Sequence, residues 1–137
     1  MIKIPEAKPE LIGEYTDLKD LRKKIQNFLT SNLVHKKIIN TETKYEIGFN
    51  KRGIEKLLSK SGMTKLICLT AIEDIIKNGI LYDVLVDTKK REAVLGWYKF
   101  KTKVKIYGTV FEYKFSVRQL KGGKFIYSAN LNIKKPL

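Results

Sequence analysis

Lysine recurs at every second position from 99 to 105, as Lys99, Lys101, Lys103 and Lys105, and the next segment adds Lys114 and Arg118. Along an extended strand, alternate side chains stand roughly 6.6–6.8 Å apart on one face, close to the step between phosphates on a stretched nucleic-acid strand. The chemistry such a row serves is polyanion binding, with solubilising an exposed sheet face as the plainer use. Trp97 opens the row. It either stacks an unpaired base, worth ~1–3 kcal/mol, or covers the end of the sheet by packing on helices. Arg52, in FNKRGIEK, can meet phosphate from a helix N-terminus, where backbone amides favour anions, or is simply a solvated side chain.

The element that must position these residues is one long antiparallel hairpin over residues 97–120. Tyr98, Phe100, Val104 and Ile106 alternate with the lysines, and after Gly108 the parity flips to Phe111, Tyr113, Phe115 and Val117. A two-residue turn at Tyr107–Gly108 reconciles the halves, because Val104 then faces Phe111 and Phe100 faces Phe115. The other face then sets Trp97 opposite Arg118, Lys101 opposite Lys114, and Lys103 opposite Glu112. Adjacent like charges weaken a sheet, so the row calls for a reason: an anionic partner, or the solubilising of an exposed sheet face or edge.

Bulk composition points the same way. The 137 residues carry 28 Lys plus Arg against 14 Asp plus Glu, a formal charge of +14. That excess concentrates polyanions around the molecule and favours nucleic acid or an acidic surface. Lysine dominates, and it meets phosphate as a point charge without arginine's base-reading fork. Cys68 is the only cysteine and lies in the apolar run LICLTAI, so a disulfide framework is excluded and a buried thiol expected. His35, the only histidine, removes any two-histidine metal or acid–base pair. No metal or other cofactor is expected. The absence of a long apolar run or signal-peptide pattern predicts a soluble, cytoplasmic protein with no membrane partner.

Along the chain, residues 1–16 hold Pro5, Pro9 and Gly13 and form an N-terminal arm ordered by docking, ahead of a single domain over 17–137. Asp17 caps a helix with Leu18, Leu21, Ile25, Phe28 and Leu29 on one stripe. Its cations Arg22, Lys23 and Lys24 suit a solvated face or a second phosphate contact. A short hairpin turning at Asn40–Lys44 follows, then a helix capped by Asn50. A third helix runs from Met63 to Asn78 and stops at Gly79, a candidate C-terminal glycine. From Ile80 the chain reads as strands, with DTKKREAVLG as a loop at the mouth of a site and Gly122–Gly123 as the last turn. The fold class is α+β: N-terminal helices plus a short hairpin, then a four-stranded antiparallel meander with one face covered by helices.

Three strings, NLVHKKIINTETKYEIGFNKRGIEKLLSK, LTAIEDIIKNGIL and YKFKTKVKIYGTVFEYKFSVRQLKGGKFIY, resemble a domain of large polyvalent proteins of phages and integrative elements over roughly residues 20–130. That group looks related to the nuclease-like folds of barnase, EndoU, the tRNA-cleaving colicins and RelE, in which helices precede a sheet whose open face holds RNA. The resemblance implies metal-independent cleavage by the RNA 2′-hydroxyl, with Trp97 standing where a strand histidine would be expected. A RelE-like set then implies that Arg118 and Lys101 clamp phosphate, Lys103 or Glu112 accepts a proton, and Tyr127 supplies an acid or a stacking ring. A two-residue turn at Gly122–Gly123 sets Tyr127 beside Arg118 on the cationic face; a longer turn sends it into the core beside Val117, as the shared parity of Phe125, Leu131 and Ile133 suggests.

The expected function is therefore nucleic-acid-directed, RNA before DNA, in a mobile-element protein, with or without ribonuclease activity. The alternative is a non-catalytic nucleic-acid-binding or inhibitor protein that docks on an acidic protein partner such as a host defence complex.

Overall fold

The computed structural model describes residues 4–59, 61–86 and 94–134, with residues 129–132 described by their backbone alone. The chain runs α1 (Leu18–Leu33), β1 (Lys37–Ile39), β2 (Glu46–Gly48), α2 (Lys51–Ser59), α3 (Met63–Cys68), α4 (Ile72–Asn78), β3 (Ile80–Val86), β4 (Val94–Ile106), β5 (Thr109–Leu120) and β6 (Phe125–Lys134). Helices and strands thus combine as expected for an α+β chain. The loop expected over DTKKREAVLG falls largely on residues 87–93, outside the described residues.

The meander β3–β4–β5–β6 is present, within a larger sheet than the four strands expected. Its order is β1-β2-β6-β5-β4-β3, and β2 joins β6 in parallel through Ile47–Phe125 and Gly48–Ile126. The arm extends the sheet on the far side. Ala7 N donates to Lys105 O, and Lys105 N donates to Pro5 O, both at 2.8 Å, pairing the arm with β4 beyond the end of β3.

Parity decides which face is covered. Leu21, Ile25, Leu29 and Leu33 recur every fourth residue of α1 and are fully buried, and α2–α4 add Ile54, Leu58, Leu66, Ile72, Ile75 and Ile76. They meet Phe100, Val104, Tyr113, Phe115 and Val117 from one sheet face. Across the strands Phe100, Phe115, Tyr127 and Phe49 form a ladder of stacked rings with centroids 5.1–5.4 Å apart.

Local sequence explains the element ends. Asp17 Oδ1 accepts from Asp20 N at 2.8 Å and caps α1. Arg22, expected on a solvated face or at a second phosphate contact, donates to the Leu58 and Ser61 carbonyls at the end of α2. The expected helix over Met63–Asn78 is interrupted by a 3₁₀ turn, Leu69–Ala71, where Thr70 Oγ1 donates to Ile67 O and accepts from Lys8 N. Gly79 is no left-handed cap: its φ of −63° and ψ of 139° are extended. Its lack of a side chain admits the Phe115 ring, since a Cβ there would sit 2.8 Å from Phe115 Cζ.

Candidate nucleic-acid interface

The β4–β5 register matches the parity argument at every position it named, including Trp97–Arg118, Lys101–Lys114, Lys103–Glu112 and Phe100–Phe115. Tyr107 (φ 47°) and Gly108 (φ 82°) form the turn, both left-handed as a tight hairpin of this kind requires. The face opposite the helices therefore carries the cations. Lys101, Lys103 and Glu112 are exposed, and Lys99, Lys105, Lys114, Arg118 and Trp97 are half-buried.

Carboxylates temper the row without cancelling it. Asp83 approaches Lys99 at 3.9 Å and Glu112 approaches Lys114 at 3.6 Å, while Glu6 lies in register with Lys105. Lys101 and Lys103 are in no described ion pair. Such exposed pairs add about 0–1 kcal/mol and exchange readily for another anion.

Sequence reasoning missed Tyr82. A β-bulge between Leu81 and Asp83 turns it onto the cationic face, where Lys101 Nζ lies 5.7 Å and Lys114 Nζ 5.5 Å from its ring centroid. Alternation along ILYDVLV assigns Tyr82 to neither face, and only the bulge decides it. Trp97 lies on this same face, in register with Leu85 and Arg118.

Tyr127 is a correction to the RelE-like set. Three residues, Lys121–Gly123, form the last turn, with Gly122 (φ 94°) and Gly123 (φ 90°) supplying the left-handed backbone and Leu120 N donating to Lys124 O. The extra residue sets Tyr127 against Val117, and its ring is buried in the core with its hydroxyl 2.7 Å from that of Tyr113. Burial pushes both hydroxyls well above the ordinary tyrosine range, with the partner hydroxyl raising Tyr113 further. Tyr127 therefore belongs to the core and not to the cationic face. Cys68, also buried, has its thiol pushed up to about 12 by desolvation.

Arg52 likewise stands apart from the lysine row. Past Ile126, β6 has no strand partner on its outer side among the described residues; the chain leaves β2, passes Asn50 and begins α2 there. Asn50 Oδ1 accepts from Gly53 N at 2.6 Å, capping α2. A cavity of about 210 Å³ lies beside this cap, lined by Asn50, Arg52, Lys56, Arg118, Tyr127 and Ser128. It joins Arg52 to Arg118, a pairing that sequence spacing does not show.

A family model described as large polyvalent protein-associated domain 3 matches residues 16–127. The chain belongs to that family. The match spans α1 through the first residues of β6, the stretch over which the resemblance was noted, and so includes the whole cationic hairpin. No curated protein and no solved structure matches the chain. Among the described residues, no helix is long and apolar enough to cross a membrane.

Proposed function

We propose that this mobile-element family domain binds single-stranded nucleic acid, RNA before DNA, across the uncovered face of β3–β6. One observation carries the reading: Lys101 and Lys103 are exposed and in no ion pair among the described residues, and the Tyr82 ring lies 5.7 Å from Lys101 Nζ and 5.5 Å from Lys114 Nζ. Cations at the strand repeat track a backbone, and an aromatic ring among them offers a sequence-tolerant stacking surface. Unpaired strands present splayed bases to such a face, which a duplex does not.

Cleavage is the finer version of this reading. Arg118, Lys101, Lys103 and Glu112 share the face, so cations would surround a bound phosphate and Lys103 or Glu112 would take the 2′-hydroxyl proton. The burial of Tyr127 removes the acid assigned to the leaving oxygen. Binding therefore ranks ahead of catalysis.

Anisotropy titration of short labelled RNA and DNA across a salt series tests the proposal. Engagement of about four phosphates gives a log–log slope near −2.8 on single strands. Lys101→Glu combined with Lys103→Glu is expected to lower affinity at least about tenfold without loss of melting temperature. A salt-independent affinity would overturn the reading and favour an acidic protein partner. Incubation in EDTA with labelled RNA, beside an Arg118→Ala variant, reports cleavage; RNA left intact by both preparations removes it.

A further inference from the structure

The cavity between α2 and β6 has features that a phosphodiester platform does not need. Arg52 and Lys56, four residues apart on α2, share one side of that helix and are exposed. Arg118 enters from β5. None of the described lining residues is acidic, and none of these three cations is in a described ion pair. Arg118 Nε is moreover buried and meets no hydrogen-bond acceptor among the described residues. A buried N–H without a partner costs on the order of 1–3 kcal/mol, more when the group is charged, so native chains rarely keep one without cause.

Two of the amides in the first turn of α2 are already satisfied. Asn50 already accepts from Gly53 N through its side chain and from Ile54 N through its carbonyl, at 2.6 and 3.1 Å. The attraction comes from three side-chain cations around a volume of about 210 Å³. That space equals roughly seven waters at about 30 Å³ each, enough for a tetrahedral oxyanion whose substituent leaves through the mouth.

We infer that this cavity takes a terminal phosphate monoester, supplied by the end of a nucleic-acid strand whose remainder lies on the neighbouring cationic face. Three uncompensated cations match the charge of about −1.5 to −2 on a monoester at pH 7 better than the single charge of an internal diester. The Arg118 guanidinium meets the oxyanion from the β5 side, and Arg52 and Lys56 meet it from α2. The choice of a strand as the source rests on the function proposed above, whereas the preference for a monoester rests on the cavity alone.

The test compares strands of one sequence ending in 5′-phosphate, 3′-phosphate or hydroxyl, with inorganic phosphate followed separately by thermal shift, all on the full chain. A phosphate at one end is expected to tighten binding about tenfold over the hydroxyl-ended strand, as charge-assisted contacts do. Arg52→Gln with Lys56→Gln brings that ratio to about one, while Lys101→Glu with Lys103→Glu weakens all strands and keeps it. Equal affinity for the three strands in the wild type, or a ratio that survives Arg52→Gln with Lys56→Gln, overturns the inference. If no strand binds but inorganic phosphate raises the melting temperature of the wild type and not of the Arg52→Gln, Lys56→Gln variant, the cavity assignment stands and the nucleic-acid reading falls. A phosphate shift equal in both proteins sinks the cavity assignment.

Discussion

At Gly79 the chain has room for a hydrogen and nothing larger. A methyl there would meet Phe115 Cζ at 2.8 Å and the Ile75 carbonyl at 3.3 Å, so Gly79→Ala is expected to cost about 1–3 kcal/mol in urea unfolding, the range of overpacked cores. Stability equal to the wild type would show that the Phe115 ring can move. The glycine was visible in the sequence but its reason was not, because a helix-stopping glycine and a glycine under an aromatic ring look alike in one dimension. Tyr113 and Tyr127 give the second residue-scale expectation. Both hydroxyls titrate above their unfolded value of about 10, so their contribution is complete below about pH 10 and is lost as pH rises further. Melting temperature should hold steady from about pH 7 to 9 and drop beyond about 10, less steeply in Tyr113→Phe with Tyr127→Phe. An identical alkaline drop in that variant would place its cause elsewhere.

Among the elements, the β4–β5 hairpin was the most legible. Two strands whose apolar parity reverses across a Tyr-Gly pair allow one register, and that register is the one found. The turn into β6 was not decided by its two glycines, because Leu120 to Phe125 accommodates two-residue and three-residue turns alike, and that single residue moved Tyr127 off the cationic face. Tyr82 was hidden for a related reason: a bulge adds a residue to one strand without marking the alternation. The β1–β2 hairpin owes its seat to Asn40, whose buried amide donates to the Ile76 and Gly79 carbonyls at 2.7 and 2.9 Å and accepts from Thr43. Asn40→Ala is therefore expected to cost roughly 2–4 kcal/mol, because it strands carbonyls at the end of α4 away from water. Chemical denaturation measures this, and a loss under about 0.5 kcal/mol would mean that water takes over the amide's contacts.

For the molecule as a whole, charge and connectivity dominate. A formal charge of +14 repels itself, most where the lysine row lies side by side. Raising salt from about 0.02 to 0.3 M should thus raise the melting temperature by screening, and a fall would show that the ion pairs of Asp83, Glu112 and Glu73 outweigh the repulsion. The parallel join of β2 to β6 escaped the sequence reading because two three-residue strands carry almost no periodic signal and their partner lies far along the chain. That join sets the order of events during synthesis. α1 packs on α2 and α3 as they emerge, but the helix faces that meet β4 and β6, and the edge of β2 that pairs β6, must wait, uncovered, for the last third of the polypeptide. A nascent chain in that condition exposes apolar surface and an unpaired strand edge, the features that favour aggregation, and premature termination before Phe125 would keep them exposed.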